Sequence, residues 1–498
     1  MSARIATCCL ALLIWASGAL VGTPAQAHGF GQRYDLPIPL SFYIFGAGAT
    51  VALSFVMAAM FLRTARLPDA YPHLLLLRSA SSRRWAGRLA IVARTLAAAY
   101  FILMIAAGLF GAQTPLRNII VVSVWIVGWV AISLCSALVG DVWRVINPWD
   151  TLFAAVEQIH ARLRPHRSFG LGLPYPALLD TWPALLLFVA FAWMELIWDG
   201  RDVPARLAGA LLLYSGMTWI GMFVFGRDAW RQRAEVFTIV FGIFARFAPL
   251  ASTETSGNGI ILRLPACGLL EDRRTSWAMM LLVIALLATV TFDGILETPL
   301  WAYVDVTIID APDDSLLWTF FGFSEAAALR FGRTIGLVLF VTLFSAVYLS
   351  VCRIMAAATG AEDGGTADLA RRFVFSLLPI SIAYHIAHYF SYLINGGQLV
   401  IPLLSDPFGF GWDLLGTASY RPDIGLVGPL LQWYVAVAAI VVGHVIAVYV
   451  AHVTALSTFG ERRAALRSQI SIVVLMVGYT MLSLWILSQP IVETGAGG

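Results

Sequence analysis

Long apolar runs separated by short polar segments dominate the sequence. A run of about 20 apolar residues is long enough to cross the hydrocarbon core of a bilayer as a helix, and windows of about 19 residues locate such runs. The pattern predicts an all-α, polytopic helical membrane protein with about ten transmembrane helices. The predicted spans lie near residues 40–62, 89–111, 117–139, 181–199, 205–226, 277–293, 332–357, 372–395, 430–455 and 468–488.

Composition agrees with this prediction. Of the 498 residues, 59% are apolar and 12% are charged, whereas soluble proteins have roughly 25% charged residues. The formal net charge of +3 is too small to indicate a nucleic-acid partner, so the lipid bilayer is the predicted surrounding. Five cysteines without CxxC spacing argue against a disulfide framework or a thiolate metal site.

The first 27 residues have the pattern of a cleavable signal peptide. Arg4 precedes an apolar core at residues 5–21, and the small-residue sequence Ala25-Gln26-Ala27 follows. Cleavage there leaves residues 28–498 as a single polytopic membrane domain that begins at His28. A terminal histidine offers a metal ion both its amine and a ring nitrogen. The alternative is an arbitrary first residue that leads flexibly into the first span.

Arginine positions predict the orientation, because cytoplasmic loops carry the excess of positive charge. With ten crossings, roughly 23 arginines lie inside and roughly seven outside. This predicts a multi-pass protein of the bacterial inner membrane, with both mature termini outside, an inner loop at 140–180 and outer loops at 294–331 and 396–423. The short apolar stretch 236–249 is predicted to be an interfacial or re-entrant helix, since a full crossing would place the arginine clusters that follow it on the outer side of the membrane.

The tryptophans within the sequence 141–150 of the inner loop suit a position at the level of the lipid headgroups. The sequence contains no phosphate-binding glycine loop, which argues against an ATP-driven machine.

Two histidines, His385 and His388, lie one helical turn apart inside an apolar run. Ionisable groups within a membrane segment are rare and usually face a cavity or the bundle interior, where they function. The predicted orientation brings acids from two other spans to a similar depth in the outer half of the membrane. One span ends in Glu195 and Asp199, and another ends in Asp293 with Glu297 four residues later.

Histidine combined with carboxylate is a ligand set for zinc, manganese, iron or cobalt, and helix pairs at this spacing build such sites in bundles. We therefore expect a divalent metal cofactor, with zinc among the candidates and its identity open. The expected metal ligands are His385, His388, Glu195, Asp199, His444 and His28, and the expected catalytic residues are Asp293 and Glu297. The alternatives are hydrogen bonds between helices for the histidines and solvation at the membrane surface for the acids.

Two stretches carry a resemblance to a known family. They are Ala27-His28-Gly29-Phe30-Gly31-Gln32-Arg33-Tyr34-Asp35-Leu36-Pro37-Ile38-Pro39, and the segment from Tyr384-His385-Ile386-Ala387-His388-Tyr389-Phe390 through Ser405-Asp406-Pro407-Phe408-Gly409. The chain resembles, over most of its length and in the order of its spans, the membrane-bound fenitrothion hydrolase (organophosphorus hydrolase) family. The resemblance implies hydrolysis of organophosphorus triesters. No catalytic residue is transferred from it.

The leading hypothesis is thus a metal-assisted integral-membrane hydrolase of an apolar small-molecule ester, with the attacking water reaching the site from the outer face. A transporter or metal-handling membrane protein would use the same histidines and acids as a transit or proton-relay site. A third alternative is a structural role beside a second membrane subunit. A hydrolase predicts a pocket that is closed on the inner side, and a transporter predicts a polar path that continues inward past His444.

Overall fold

The computed structural model describes residues 36–65, 70–76, 79–253, 259–271, 274–310, 324–360, 365–423 and 425–492. Residues Leu36–Ile491 form one compact unit. The predicted signal peptide at 1–27 and the candidate ligand His28 lie outside the described residues, as does part of the predicted outer loop 294–331.

Ten helices in the described part of the chain are long and apolar enough to cross a membrane. This confirms the predicted fold class and matches each predicted span. The ten are α1 (Leu40–Phe61), α2 (Ala80–Phe110), α3 (Ile119–Leu138), α6 (Trp182–Leu196), α7 (Pro204–Phe225), α10 (Trp277–Leu296), α12 (Glu325–Thr359), α13 (Gly365–Gly396), α15 (Pro429–Thr458) and α16 (Arg462–Val492).

Shorter elements connect these spans. The short helices are α4 (Trp143–Ile146), α5 (Pro148–Leu163), α8 (Arg227–Arg233), α9 (Val236–Ala245), α11 (Pro299–Ile309) and α14 (Val400–Ser405). Three short strands, β1 (His73–Leu75), β2 (Leu250–Thr253) and β3 (Gly259–Arg263), form an antiparallel sheet with the order β1-β3-β2. Two of the predicted inner connections therefore meet in one sheet.

Helices α10 and α13 form the centre of the bundle. Their apolar windows are 78% and 83% buried, against 17–56% for the other spans. Helix α10 is apolar on every face, which is typical of a helix surrounded by other helices. Helix α15 packs closely against α13 because Gly443 has no side chain. A Cβ atom there would lie 2.3 Å from the Ala383 Cβ.

The connection between α3 and α6 does not stay at the membrane surface. Trp149 Nε1 donates to Ser215 Oγ at 2.8 Å, and Ser215 lies midway along α7. Trp143 and Trp149 are both buried. Their predicted position among the lipid headgroups is therefore wrong. They fold back between the spans because other aromatic rings pack against them, including that of Phe237, which stacks on Trp149 at 5.7 Å.

Helix α9, within the stretch 236–249, is also an internal element and not an interfacial one. Its N-cap residue Glu235 accepts a hydrogen bond from Tyr214 at 2.5 Å, next to the middle of α7. The chain after α9 returns to the C-terminal end of α3, where Leu250 donates its backbone N–H to Val139. Seven of the ten residues of α9 are buried. The stretch therefore dips into the bundle and returns without crossing it.

Two membrane helices contain π-helical segments, Ser123–Ala131 in α3 and Tyr392–Gly396 in α13. The segments touch each other: a Cβ atom on Gly396 would lie 2.9 Å from Ile126 Cδ1. π-Helical turns are rare and frequently accompany functional sites. Here they flank the residues described below.

Candidate functional site

Four polar side chains from three spans meet inside the bundle. His388 Nε2 lies 2.8 Å from Asp293 Oδ2. The Tyr389 hydroxyl donates to the same Asp293 oxygen at 2.8 Å and lies 3.1 Å from Glu195 Oε1. We call Glu195, Asp293, His388 and Tyr389 the acid–imidazole cluster. It joins α6, α10 and α13.

The cluster lies near one end of the bundle. Glu195 is the penultimate residue of α6, and Asp293 precedes the end of α10 by three residues. His388 and Tyr389 occupy the last α-helical turn of α13 before its π-helical segment. The His388 and Asp293 side chains are 12% and 19% exposed, so the cluster is buried but not sealed from the surface.

The contacts of the cluster require more protons than the Tyr389 hydroxyl alone can supply. A hydroxyl has one proton to donate, and an ionised carboxylate can only accept. Tyr389 faces two carboxylates, and Asp293 also bonds the His388 ring. The Tyr389 hydroxyl can donate to only one of the two carboxylates, so both of its contacts are hydrogen bonds only when one of the two acids carries a proton.

Positive charge lies beside the cluster. Arg201 donates to the backbone carbonyl of Glu195 at 2.8 Å and to that of Leu196 at 3.2 Å, where it satisfies the last carbonyls of α6. Glu297, just beyond α10, reaches the surface. Desolvation raises the pKa of its carboxyl group, the nearby His388 imidazole opposes that rise, and the Asp293 carboxylate adds to it. Glu297 thus lies within electrostatic range of the cluster and not in its hydrogen bonds.

His385 does not join His388 in the cluster. It is buried, and its ring packs edge-on against Trp129 at 5.2 Å and against Tyr389 at 4.7 Å. Its Nε2 atom has no hydrogen-bond partner among the described residues. The two histidines contact the Tyr389 ring, but only His388 meets a carboxylate.

Two other expected ligands lie elsewhere. Asp199 pairs with Arg330 at the surface, because the α6 helix ends at Leu196 and Asp199 no longer continues its helical face. His444 is buried in the middle of α15, with its Nδ1 atom 2.8 Å from the Ile440 carbonyl oxygen. His28 lies outside the described residues.

The residues of the cluster do not form a metal site as they are arranged. No group of three or more His, Cys, Asp or Glu side chains in the described part of the chain is placed to hold a metal ion. His388 Nε2 and Asp293 Oδ2 bind each other, and the Tyr389 hydroxyl lies between the two acids. We therefore derive no chemical step through a metal.

Sequence reasoning missed Tyr389 as a functional residue. Tyrosine is common in apolar spans, so its type gave no signal. Its position next to His388 was the only available indication. Comparison of the chain with protein-family models, curated proteins and solved structures gives no match. The geometry of the cluster and the chemistry of its surroundings therefore carry the functional inference.

Proposed function

We propose that the protein is an integral-membrane hydrolase of apolar organophosphorus triesters. The observation that carries the proposal is the His388–Asp293 pair, held 2.8 Å apart at a partly exposed position near the ends of three membrane helices. A carboxylate that orients an imidazole is a recurrent arrangement for general acid–base catalysis.

The pair supports a balanced hydrolysis. With Nε2 of His388 donating to Asp293, Nδ1 is the nitrogen that accepts a proton from the attacking water. The water oxygen forms a bond to phosphorus, and the bond from phosphorus to the aryl oxygen breaks. The proton returns to the leaving aryl oxygen, and the products are a phosphodiester and a phenol. Tyr389 fixes the position of Asp293 and hence that of the imidazole.

Three features favour an apolar, neutral substrate. The surroundings of the cluster are membrane helices, a charged monoester would have to be desolvated beside two acids, and the sequence resembles a family that hydrolyses organophosphorus triesters. The predicted outer orientation would give the site water from outside the cell.

The test uses the full chain, purified and reconstituted in lipid vesicles, with diethyl nitrophenyl phosphate as the substrate. We expect nitrophenol release that His388→Ala lowers at least about 100-fold, since a general base contributes about 10²–10⁴-fold. Equal activity in the wild type and in His388→Ala would overturn the proposal. Activity in native membranes and none in the pure chain would indicate a second membrane subunit.

Elemental analysis of the same preparation tests the predicted divalent metal. Activity that disappears with a chelator and returns with one added metal ion would replace the metal-free acid–base scheme with a metal-assisted one. Activity that a chelator leaves unchanged would support the imidazole–carboxylate pair alone.

One observation favours a second candidate, a proton-coupled transporter. Buried polar atoms continue from the cluster toward the middle of the membrane: the Tyr384 hydroxyl and His444 Nε2 lack hydrogen-bond partners among the described residues, and Tyr479 packs near both rings. Beyond His444, however, α15 presents the buried apolar residues Ala447 and Val448 before the next buried histidine, His452, which bonds to Gln469 and to the Leu62 carbonyl. Solute-dependent proton flux in vesicles, with no ester hydrolysis, would favour this candidate.

A further inference from the structure

A cavity of about 610 Å³ lies among α2, α3, α6 and α7. No residue that the structure describes along its wall is charged, and nine are aromatic, including Trp125, Trp129, Trp143 and Trp149. Pockets for drug-sized molecules have volumes of about 300–1,000 Å³ and predominantly apolar walls. The size and lining of this cavity are therefore those of a ligand-binding site.

Most polar groups of the wall are bonded to protein atoms, and the exceptions are the indole N–H groups of Trp129 and Trp143, which have no partner among the described residues. Tyr100 and Ser123 share a hydrogen bond at 2.5 Å. The Tyr214 hydroxyl donates to Glu235, Trp149 Nε1 donates to Ser215, and the backbone carbonyl of Arg201 accepts from another lining tryptophan. A buried water needs two to four polar partners, so a wall with so few unpaired polar groups favours a largely apolar molecule.

Part of the cavity wall is exposed in the middle of a span. Leu213 and Met217 of α7 line the cavity and are 77% and 36% exposed. Both lie near the centre of the 22-residue helix, at the depth of the hydrocarbon core. A ligand that passes between these residues therefore comes from the bilayer.

The cavity lies next to the acid–imidazole cluster. Met194, which lines the cavity, precedes Glu195 in α6. Trp129, also in the wall, packs against His385, and His385 packs against Tyr389. One layer of side chains thus separates the apolar cavity from the polar cluster.

We propose that this cavity binds a neutral aromatic molecule that enters from the bilayer, and that, if the proposed hydrolase function holds, this molecule is the ester substrate. The aromatic walls favour rings over acyl chains, because ring pairs in edge-to-face or offset packing are stabilised beyond the effect of their buried area. The absence of charge on the described wall residues disfavours ions.

Photolabelling with benzophenone, a neutral diaryl ketone that inserts into C–H bonds when irradiated, tests the proposal without any enzymatic assay. The reconstituted full chain is irradiated and its adducts are mapped by mass spectrometry. We expect adducts on Met104 and Met194, which line the cavity. The exposed residues Met57 and Met60 of α1 serve as an internal standard for labelling directly from lipid.

Two alanines of α2 that lie two residues apart provide matched variants. Ala97 lines the cavity, whereas Ala99 is exposed and absent from its wall. Ala97→Phe fills part of the cavity and is expected to lower labelling of Met104 and Met194 about tenfold relative to Met57. Ala99→Phe adds the same ring outside the cavity and should leave the ratio unchanged.

Equal labelling ratios in both variants, or adducts confined to Met57 and Met60, would overturn the proposal and indicate a cavity that lipid chains fill or that ligands do not reach. Kinetics separate this failure from that of the hydrolase. Ala97→Phe should raise KM for diethyl nitrophenyl phosphate about tenfold with kcat nearly unchanged. If Ala97→Phe lowers labelling in a protein that shows no hydrolysis, the proposal of a ligand-binding cavity stands and the proposed hydrolase function is rejected.

Discussion

His388 and Asp293 are 95 residues apart in the chain, and their side chains meet at 2.8 Å between two central membrane helices. The pairing assigns different roles to two histidines of one helical turn. We expect His388→Ala to abolish most hydrolysis while His385→Ala retains kcat within about threefold, because general-base catalysis contributes about 10²–10⁴-fold and only His388 contacts a carboxylate.

For both variants kcat is measured in lipid vesicles, and the elution volume and thermal unfolding of each variant show whether it is folded. His385→Ala removes a ring buried against Trp129 and should lower stability instead of kcat. A folded His385→Ala variant with no activity would show that the second histidine takes part in the chemistry after all.

The sequence allowed the spans to be predicted because the length of an apolar run is a local property. The approach of Asp293 to His388 could be predicted, because the directions of their two spans place both residues at a similar depth in the membrane. Which of His385 and His388 meets the carboxylate could not be predicted, since residues three apart on a helix differ by only about 60° around its axis. Packing of one ring against Trp129 makes that choice, and it depends on a distant span.

Tyr389 is expected to hold the two acids in place. Tyr389→Phe removes the hydroxyl that reaches Asp293 and Glu195 and should lower the free energy of unfolding by about 1–3 kcal/mol, the cost of leaving buried groups without a partner. Denaturant titration in detergent measures the change. Tyr392→Phe, at a side chain that is 44% exposed, is the control and should have little effect. Equal losses in both variants would contradict the role given to Tyr389.

Substitution of Glu195, in α6, should lower activity more than substitution of Asp199, which follows the helix. Asp199 forms a surface ion pair with Arg330, and exposed pairs are worth about 0–1 kcal/mol. We expect Asp199→Asn to retain activity within about twofold. Glu195→Gln changes a carboxylate that faces Tyr389, and should lower kcat at least about tenfold. A larger loss of kcat in Asp199→Asn than in Glu195→Gln would show that Asp199 belongs to the site.

Two glycines test the close packing of α13 and α15. Gly443→Ala would place a Cβ 2.3 Å from that of Ala383, and such overpacking costs about 1–3 kcal/mol. Gly478→Ala, in α16, meets nothing within 4 Å and gains about 0.5–1 kcal/mol from helix propensity. Thermal unfolding should therefore move in opposite directions in the two variants. A destabilised Gly478→Ala would contradict the packing.

Orientation is testable with single cysteines in a cysteine-free background. Ala418→Cys and Ser168→Cys both place a thiol at an exposed position, in the predicted outer and inner loops. A membrane-impermeant maleimide added to intact cells should label only the first. Labelling only the second would invert the predicted topology, and the water of the proposed reaction would then come from the cytoplasm.

The fold also contains two tryptophans whose positions the sequence misrepresents. Trp143 and Trp149 belong to a segment whose composition is typical of a membrane interface, and yet both are buried, and Trp149 bonds to Ser215 in the middle of α7. Their partners, such as Phe237, come from a segment almost a hundred residues later, and no local pattern identifies such contacts. The cavity that these rings help to enclose was therefore beyond prediction from the pattern of apolar residues.

The π-helical segment Ser123–Ala131 has a genetic consequence. Its turns are wider than those of an α-helix, and deletion of a single residue would let the backbone tighten to α-helical geometry. Each residue of an α-helix turns the chain by about 100°, more than a residue of the wider π-helical turn, so such a deletion would change the directions of side chains within the segment while the two flanking parts of α3 keep nearly the same relative orientation. Trp125 and Trp129 would no longer face the same neighbours. The shape of this wall is thus encoded in the number of residues along α3, and a one-codon deletion would change it more than most substitutions would.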